Sequence, residues 1–308
     1  MTGGGDRFQM QVPRHACQLR LAALAAPTRK VLPMTTTDWP SLALMAGALV
    51  AAGFLSGLLA GLLGIGGGAV VVVTLYEAFR LLGIDEAVRM HLATGTGLAI
   101  IAPTTLRSFL AHKRRGIADL DFLRRMAVPV VMGVGLGALV ARSSGGDTLK
   151  WVWVLVGTFL AVKMYAGRDD WRLGPDIPKG LAVEVYGVSL GLVSMLMSVG
   201  GGAWVVMLMT FYGRSIHQAV ATSSGFGPLI AIPGVLGFIW AGWGAEGLPP
   251  GSIGYVSLVG AALAIPTGLV AAPLGARLSH GLSKRGLELA FAIFMTCVVL
   301  RFLASLAL

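Results

Sequence analysis

Two glycine triplets and two clusters of hydroxyl side chains are the residues of this chain whose types and spacing can do chemistry. Gly66-Gly67-Gly68 interrupts the apolar stretch "LLGIGGGAVVV", and Gly200-Gly201-Gly202 interrupts "MSVGGGAWVV". Glycine costs about 0.8–1 kcal/mol in a helix relative to alanine, so three in succession mark a break. A helix that restarts after the break presents unpaired N–H groups at the positive end of its dipole. Such an end holds an anion without a charged side chain. Behind each triplet stands a hydroxyl cluster, Thr94-Gly95-Thr96 in "ATGTG" and Thr222-Ser223-Ser224 in "ATSSG". Hydroxyls either donate to an oxyanion without burying a charge or turn back onto their own helix carbonyls. The substrate-binding candidates are therefore Gly66, Gly67, Gly68, Thr94, Thr96, Gly200, Gly201, Gly202, Thr222, Ser223 and Ser224.

Ionisable groups within apolar segments form a second set of candidates. Glu77 follows the first triplet and is either a proton-coupling carboxylate or an interfacial residue. Arg107 and His112 approach the basic loop "HKRRG" (112–116), as gating groups or as a snorkelling arginine and a solvated histidine. Lys163 and Arg301 occupy similar places near the ends of equivalent segments and read as anchors. Catalytic patterns are absent. There is no H-E-x-x-H, and His15, His91, His112, His217 and His280 are scattered. A G-x-S-x-G-like window opens at Gly191-Leu192-Val193-Ser194, but Met195 ends it. Gly64 to Ala69 formally matches a dinucleotide fingerprint, which requires a soluble strand-turn-helix that an apolar segment does not offer. Cys17 and Cys297 make neither a disulfide framework nor a metal site. No enzyme activity, metal or cofactor is expected.

The elements that must position these groups follow from composition. Hydrophobic residues make up 56% of the 308 and charged residues 12%, about half the charge of a soluble chain. Long apolar runs recur, several reaching the roughly 20 residues that cross a 30 Å hydrocarbon core. The fold class is an all-α polytopic membrane protein with about 8–10 transmembrane segments and glycine-broken helices. The net charge of +10 sits mostly in short loops, where it reports orientation in the bilayer rather than nucleic-acid binding. Residues 1–33 differ. Arg7, Arg14, Arg20, Arg29 and Lys30 stand there against Asp6, with no spanning run, and Met34 offers a second start. That stretch reads as a basic tail, disordered or preceding a misassigned start.

The chain is a duplicated module. The second triplet lies 134 positions after the first, and at that offset Gly53 and Gly57 fall on Gly187 and Gly191. "GALVARSSGGDTLKW" (137–151) likewise matches "GARLSHGLSKRGLEL" (275–289). The division is a first transmembrane repeat over 34–166, a polar linker over 167–180 and a second repeat over 181–308. Each repeat reads as five apolar segments, 41–63, 69–83, 92–111, 124–142 and 149–165 in the first. In the second they are 181–198, 203–213, 219–243, 252–277 and 285–306, and the second segment of each set is short enough to be a partial span. "HKRRG" is strongly basic and belongs inside, whereas its counterpart "AGWGAEGLPPGS" (241–252) has no basic residue and belongs outside. Equivalent loops on opposite faces make the repeats inverted. Gly53, Gly57 and Gly61, four apart, suit close helix packing. Unwound backbone at membrane depth must instead line protein or a cavity, and transporters of inverted repeats put such breaks at the substrate site.

These motifs, in duplicate order, resemble the sulfite exporter TauE/SafE family over about 41–306. The resemblance is carried by "GFLSGLLAGLLGIGGG" (53–68), "HLATGTGLAI" (91–100) and "HKRRGIADLDFL" (112–123). In the second half it is carried by "GLVSMLMSVGGG" (191–202), "AVATSSGFG" (219–227) and the stretch 251–291. It implies a permease for small sulfur-containing anions such as sulfite or sulfoacetate, running toward export. The alternatives are a proton-coupled importer of another small organic anion and a non-transport scaffold. The expected partners are the anionic substrate and the lipid bilayer, without nucleic acid and with room for a homo-oligomer. The chain departs from the family pattern at Val73 and Met207, where a proline usually stands five residues after the last glycine of the triplet.

Overall fold

The computed structural model describes residues 39–63, 68–114, 116–166, 174, 176–178, 180–279 and 284–307. The tail over 1–33, most of the linker, and Gly66 and Gly67 lie outside the described residues. The first half contributes α1 (Trp39–Leu63), α2 (Gly68–Leu81), α3 (Glu86–Arg114), α4 (Leu120–Ser143) and α5 (Gly146–Ala166). The second contributes α6 (Leu181–Leu196), α7 (Gly202–Phe211), α8 (Ile216–Ser223), α9 (Phe226–Ala241), α10 (Leu258–Ser279) and α11 (Lys284–Ala307). A two-stranded hairpin, β1 (Ser252–Ile253) and β2 (Val256–Ser257), precedes α10 with Ser252 opposite Ser257.

Among the described residues, five helical stretches are long and apolar enough to cross a bilayer, in α4, α5, α8 with α9, α10 and α11. Val128, Leu155, Leu236, Val270 and Leu300, one on each, are more than half exposed. An apolar outer face of that extent needs lipid as its solvent. The chain is an all-α polytopic membrane protein. Prolines inside α3, α4, α9 and α10 fit this environment, where neighbouring helices re-satisfy the freed carbonyls.

The short second segments do not cross. α2 has 14 residues and α7 has 10, giving lengths of about 21 and 15 Å against a 30 Å core. The third segment of the second half is divided by a turn at Ser224-Gly225, and the predicted segment over 252–277 begins as the hairpin. Gly254, at φ +54°, makes the hairpin turn, and any side chain there would strike the backbone of Ile239.

At the centre runs α3, buried without interruption from Met90 to Leu98. It lies antiparallel to α9: Gly227 sits against Thr105, Gly234 against Leu98 and Gly95 against Phe238. α2 folds back on α3, and α7 folds back on α8. α4 packs in parallel on α6, with Gly187 against Met126 and Pro129 and Gly191 against the Val130 carbonyl. α1 packs in the same sense on α10, with Gly53 against Ala264 and Thr267 and Gly57 against Gly268. α5 packs on α11, where Trp153 meets Phe302 edge-on with ring centroids 5.7 Å apart. Small residues at these crossings let backbones touch, which replaces the hydrophobic drive that lipid cannot supply.

Candidate functional site

Too short to cross, α2 pairs with α3 and α7 with α8, and the N-termini of α2 and α7 converge. A side chain on Gly68 would strike the carbonyl of Ser198, so the start of α2 abuts the second glycine break. Ala69 and Ala203, the second residues of the two helices, line one small enclosed cavity of about 20 Å³. Leu160, Met164, Met197, Val199, Trp204 and Phe291 complete its wall. That volume admits about one water molecule, so the site is closed in this conformation. The first turn of each helix carries N–H groups with no partner in its own helix. The side chains lining the cavity are all apolar or aromatic, with no carboxylate among them, and the Tyr186 hydroxyl donates to the Trp204 carbonyl at 2.9 Å, tying α6 to the first turn of α7.

Gly201 is the N-cap of α7 at φ +70°, in the left-handed region. Ser198, at φ +54°, is the one non-glycine residue with positive φ among those described. Its hydroxyl and that of Ser194 are fully buried and have no hydrogen-bond partner in the protein. An unsatisfied buried hydroxyl costs about 1–3 kcal/mol. Both hydroxyls face glycines. A Cβ on Gly97 would come 2.8 Å from the Ser198 Oγ, and one on Gly201 would come 3.5 Å from the Ser194 Oγ. The sequence pointed to neither serine as a donor; Ser194 stood out only as the end of an incomplete nucleophile window.

The hydroxyl clusters divide by what they hold. Thr94 donates to the Met90 carbonyl at 2.8 Å, Ser223 to Val220 at 2.9 Å and Ser224 to Ala221 at 2.6 Å. Their protons serve their own helices. Thr96 and Thr222 reach across the molecule instead. The Thr96 Oγ1 accepts the backbone N–H of Ser257 at 2.9 Å, and the Thr222 Oγ1 accepts that of Asp119 at 2.9 Å. Each donating residue caps the helix that follows: the Asp119 carboxylate takes the Phe122 N–H, and the Ser257 hydroxyl takes the Gly260 N–H. Gly200 lies against Gly227 and Thr105 on α9 and α3, and Gly202 lies near Ser223.

The ionisable candidates lie away from the cavity. Glu77 accepts from Arg80 at 2.6 Å and pairs with Arg301 at 2.8 Å. At the corresponding place in the second half, Lys163 stands 5.5 Å over the Phe211 ring. Arg107 is exposed and His112 half-buried on the last turns of α3. Local sequence gave no sign of a polar cluster at the other end of α3. The Lys150 side chain is 1% exposed and holds Glu86 at 2.7 Å and Asp147 at 3.1 Å. The same Glu86 oxygen also accepts from Ser305 at 2.8 Å and Tyr76 at 3.4 Å, joining α2, α3, α5 and α11.

Lipid-facing spans around two half-helices whose N-termini share a buried cavity describe a multi-pass membrane transporter. The comparisons agree. The chain is 30% identical over 249 residues to a probable membrane transporter protein of Haemophilus influenzae, covering 80% of this chain and 94% of that one. It is 28% identical to a probable membrane transporter protein of Methanocaldococcus jannaschii, over 78% of this chain and 89% of the other. A probable membrane transporter protein of Bacillus subtilis is 23% identical over 79% of this chain and 93% of its own. No solved structure matches significantly. The sulfite exporter TauE/SafE family model matches residues 49–302. The chain belongs to that family.

Proposed function

We propose that the protein exports a small sulfur-containing oxyanion, sulfite or a short organosulfonate such as sulfoacetate, across the cell membrane. One observation carries this reading: the N-termini of α2 and α7 meet at one enclosed, carboxylate-free cavity. N–H groups behind the two glycine breaks hold the anion there, with no fixed charge to trap it. The sulfite-exporter name of the matched family supports the substrate class. An inside-negative potential drives anion export by about 2.3 kcal/mol per charge per 100 mV, so no coupling ion is required. Glu77, engaged by two guanidinium groups, steadies the α2–α11 contact in this reading.

The halves act as inverted repeats that rock against each other. Their packing supports this, because the contacts exchange under the 134-residue offset: Gly53 and Gly57 meet α10 where Gly187 and Gly191 meet α4. With α1–α2 and α6–α7 as paired entries to mid-depth, each half crosses the bilayer three times by α3 to α5 or their counterparts. An odd number of crossings inverts the second copy.

Two measurements test the reading. Proteoliposomes should release sulfite at a rate that follows the membrane potential and falls when sulfoacetate competes, with sulfate, acetate and chloride as comparisons. Folded protein that passes no sulfite would remove this substrate. Separately, single cysteines at Gly116 and Gly247, in a background lacking Cys17 and Cys297, should react with impermeant reagent from opposite faces. Labelling from one face would end the inverted topology.

A further inference from the structure

We propose that Ser194 and Ser198, beside the second glycine break and outside the wall of the closed cavity, are the oxyanion-recognising pair of the opened transport site, so that specificity resides in the second half alone. This rests on the export reading above. Both hydroxyls are fully buried without a protein partner, although a serine near a helix end ordinarily bonds a carbonyl one turn back. Each stands against a glycine, Ser194 beside Gly201 and Ser198 beside Gly97, where any side chain would crowd the hydroxyl together with Ile230 and Leu190 in the first case and Val72 in the second. Gly201 is also the N-cap of α7, so the Ser194 hydroxyl stands beside the positive end of that helix, and Ser198 precedes the cap by three residues. Ser198 adopts a left-handed conformation that is otherwise left to glycine among the described residues, and that backbone places its side chain toward α3.

The first half has no equivalent. At the 134-residue offset the counterparts are Ala60 and Gly64, which offer no hydroxyl. The glycine triplets are duplicated in sequence; the hydroxyl pair is not. Two neutral donors beside one helix terminus suit a ligand with at least two anionic oxygens on one centre, such as a sulfite or sulfonate group. A halide presents no such geometry.

The test is concentration-dependent sulfite efflux from proteoliposomes, with chloride competition measured alongside, for Ser194→Ala, Ser198→Ala and Ser198→Gly. Hydrogen bonds to a charged group carry enough energy that each variant should raise the half-saturating sulfite concentration about tenfold. Chloride competition should not weaken in parallel. Ser198→Gly removes the hydroxyl while suiting the backbone, so an equal effect in the Gly and Ala variants identifies a lost donor rather than lost shape. Ser194→Thr should recover most of the affinity. Ser189→Ala, exposed on the same helix, is the control and should match wild type. Unchanged half-saturation in folded Ser194→Ala and Ser198→Ala, with wild-type sulfite flux intact, overturns this proposal and leaves the export reading standing. A wild-type protein without oxyanion flux overturns both.

Discussion

Replacing Gly201 with leucine should abolish transport while leaving folded protein in the membrane. The residue sits at φ +70° as the N-cap of α7, and holding a non-glycine residue there costs about 1–3 kcal/mol. A Cβ would also approach the Ile230 Cδ1 to 2.7 Å and the Leu190 Cδ2 to 3.2 Å. These are ends of flexible side chains, so the helices can absorb the intrusion without coming apart. The displaced element is the first turn of α7, which lines the cavity through Ala203 and Trp204. Flux should fall below about a tenth of wild type, since a misplacement of one ångström at a binding constellation suffices for losses of that size. Gly201→Asn should lose less, because asparagine tolerates the left-handed region. Efflux and size-exclusion profile together decide it. Near-normal flux in the leucine variant would remove the broken helix from the mechanism.

Glu86→Gln should destabilise the protein more than Lys150→Met does. The Lys150 side chain is 1% exposed, whereas Glu86 and Asp147 are 52% and 75% exposed. Removing the lysine leaves two carboxylates that water can solvate. Removing Glu86 strips the buried ammonium of its nearer partner, and a buried charge without compensation is the expensive outcome. Complete burial of both partners would give about 3–5 kcal/mol. With Glu86 half in solvent and Asp147 retained, about 1–3 kcal/mol is expected. The double variant should regain much of the loss, because it removes the stranded charge together with its partner. Thermal unfolding of the four proteins in one detergent measures this. A double variant less stable than Glu86→Gln alone would show that packing, not charge, governs the cluster.

Much of the architecture was legible because it rests on local signals. Glycine triplets and apolar runs placed most helices to within a few residues, but α3 begins at Glu86 instead of residue 92, the segment over 219–243 is divided at Ser224-Gly225, and "GSIGYVS" turned as a hairpin instead of continuing the apolar segment. There a glycine at φ +54° overrode hydropathy. The site was legible only in part. The second triplet marked its break by helix propensity, yet sequence cannot tell a hydroxyl that serves its own carbonyl from one that does not. Thr94 and Ser194 are alike in type and setting; the first bonds Met90 and the second bonds nothing in the protein. The Lys150–Glu86 pair spans 64 residues, and no periodicity within one helix announces a partner that far away.

The two threonine contacts across the molecule bear on how the chain is made. The Asp119 N–H waits for Thr222, 103 residues later, and the Thr96 hydroxyl waits for Ser257, 161 residues later. A chain inserted from its N-terminus therefore completes α4 with its cap unanchored through the synthesis of the linker, α6 and α7. Neither half can reach its final register by itself. Biogenesis is thus expected to end in a late, concerted docking rather than in two successive foldings, and truncation between the halves should leave a nascent segment open to quality-control proteases.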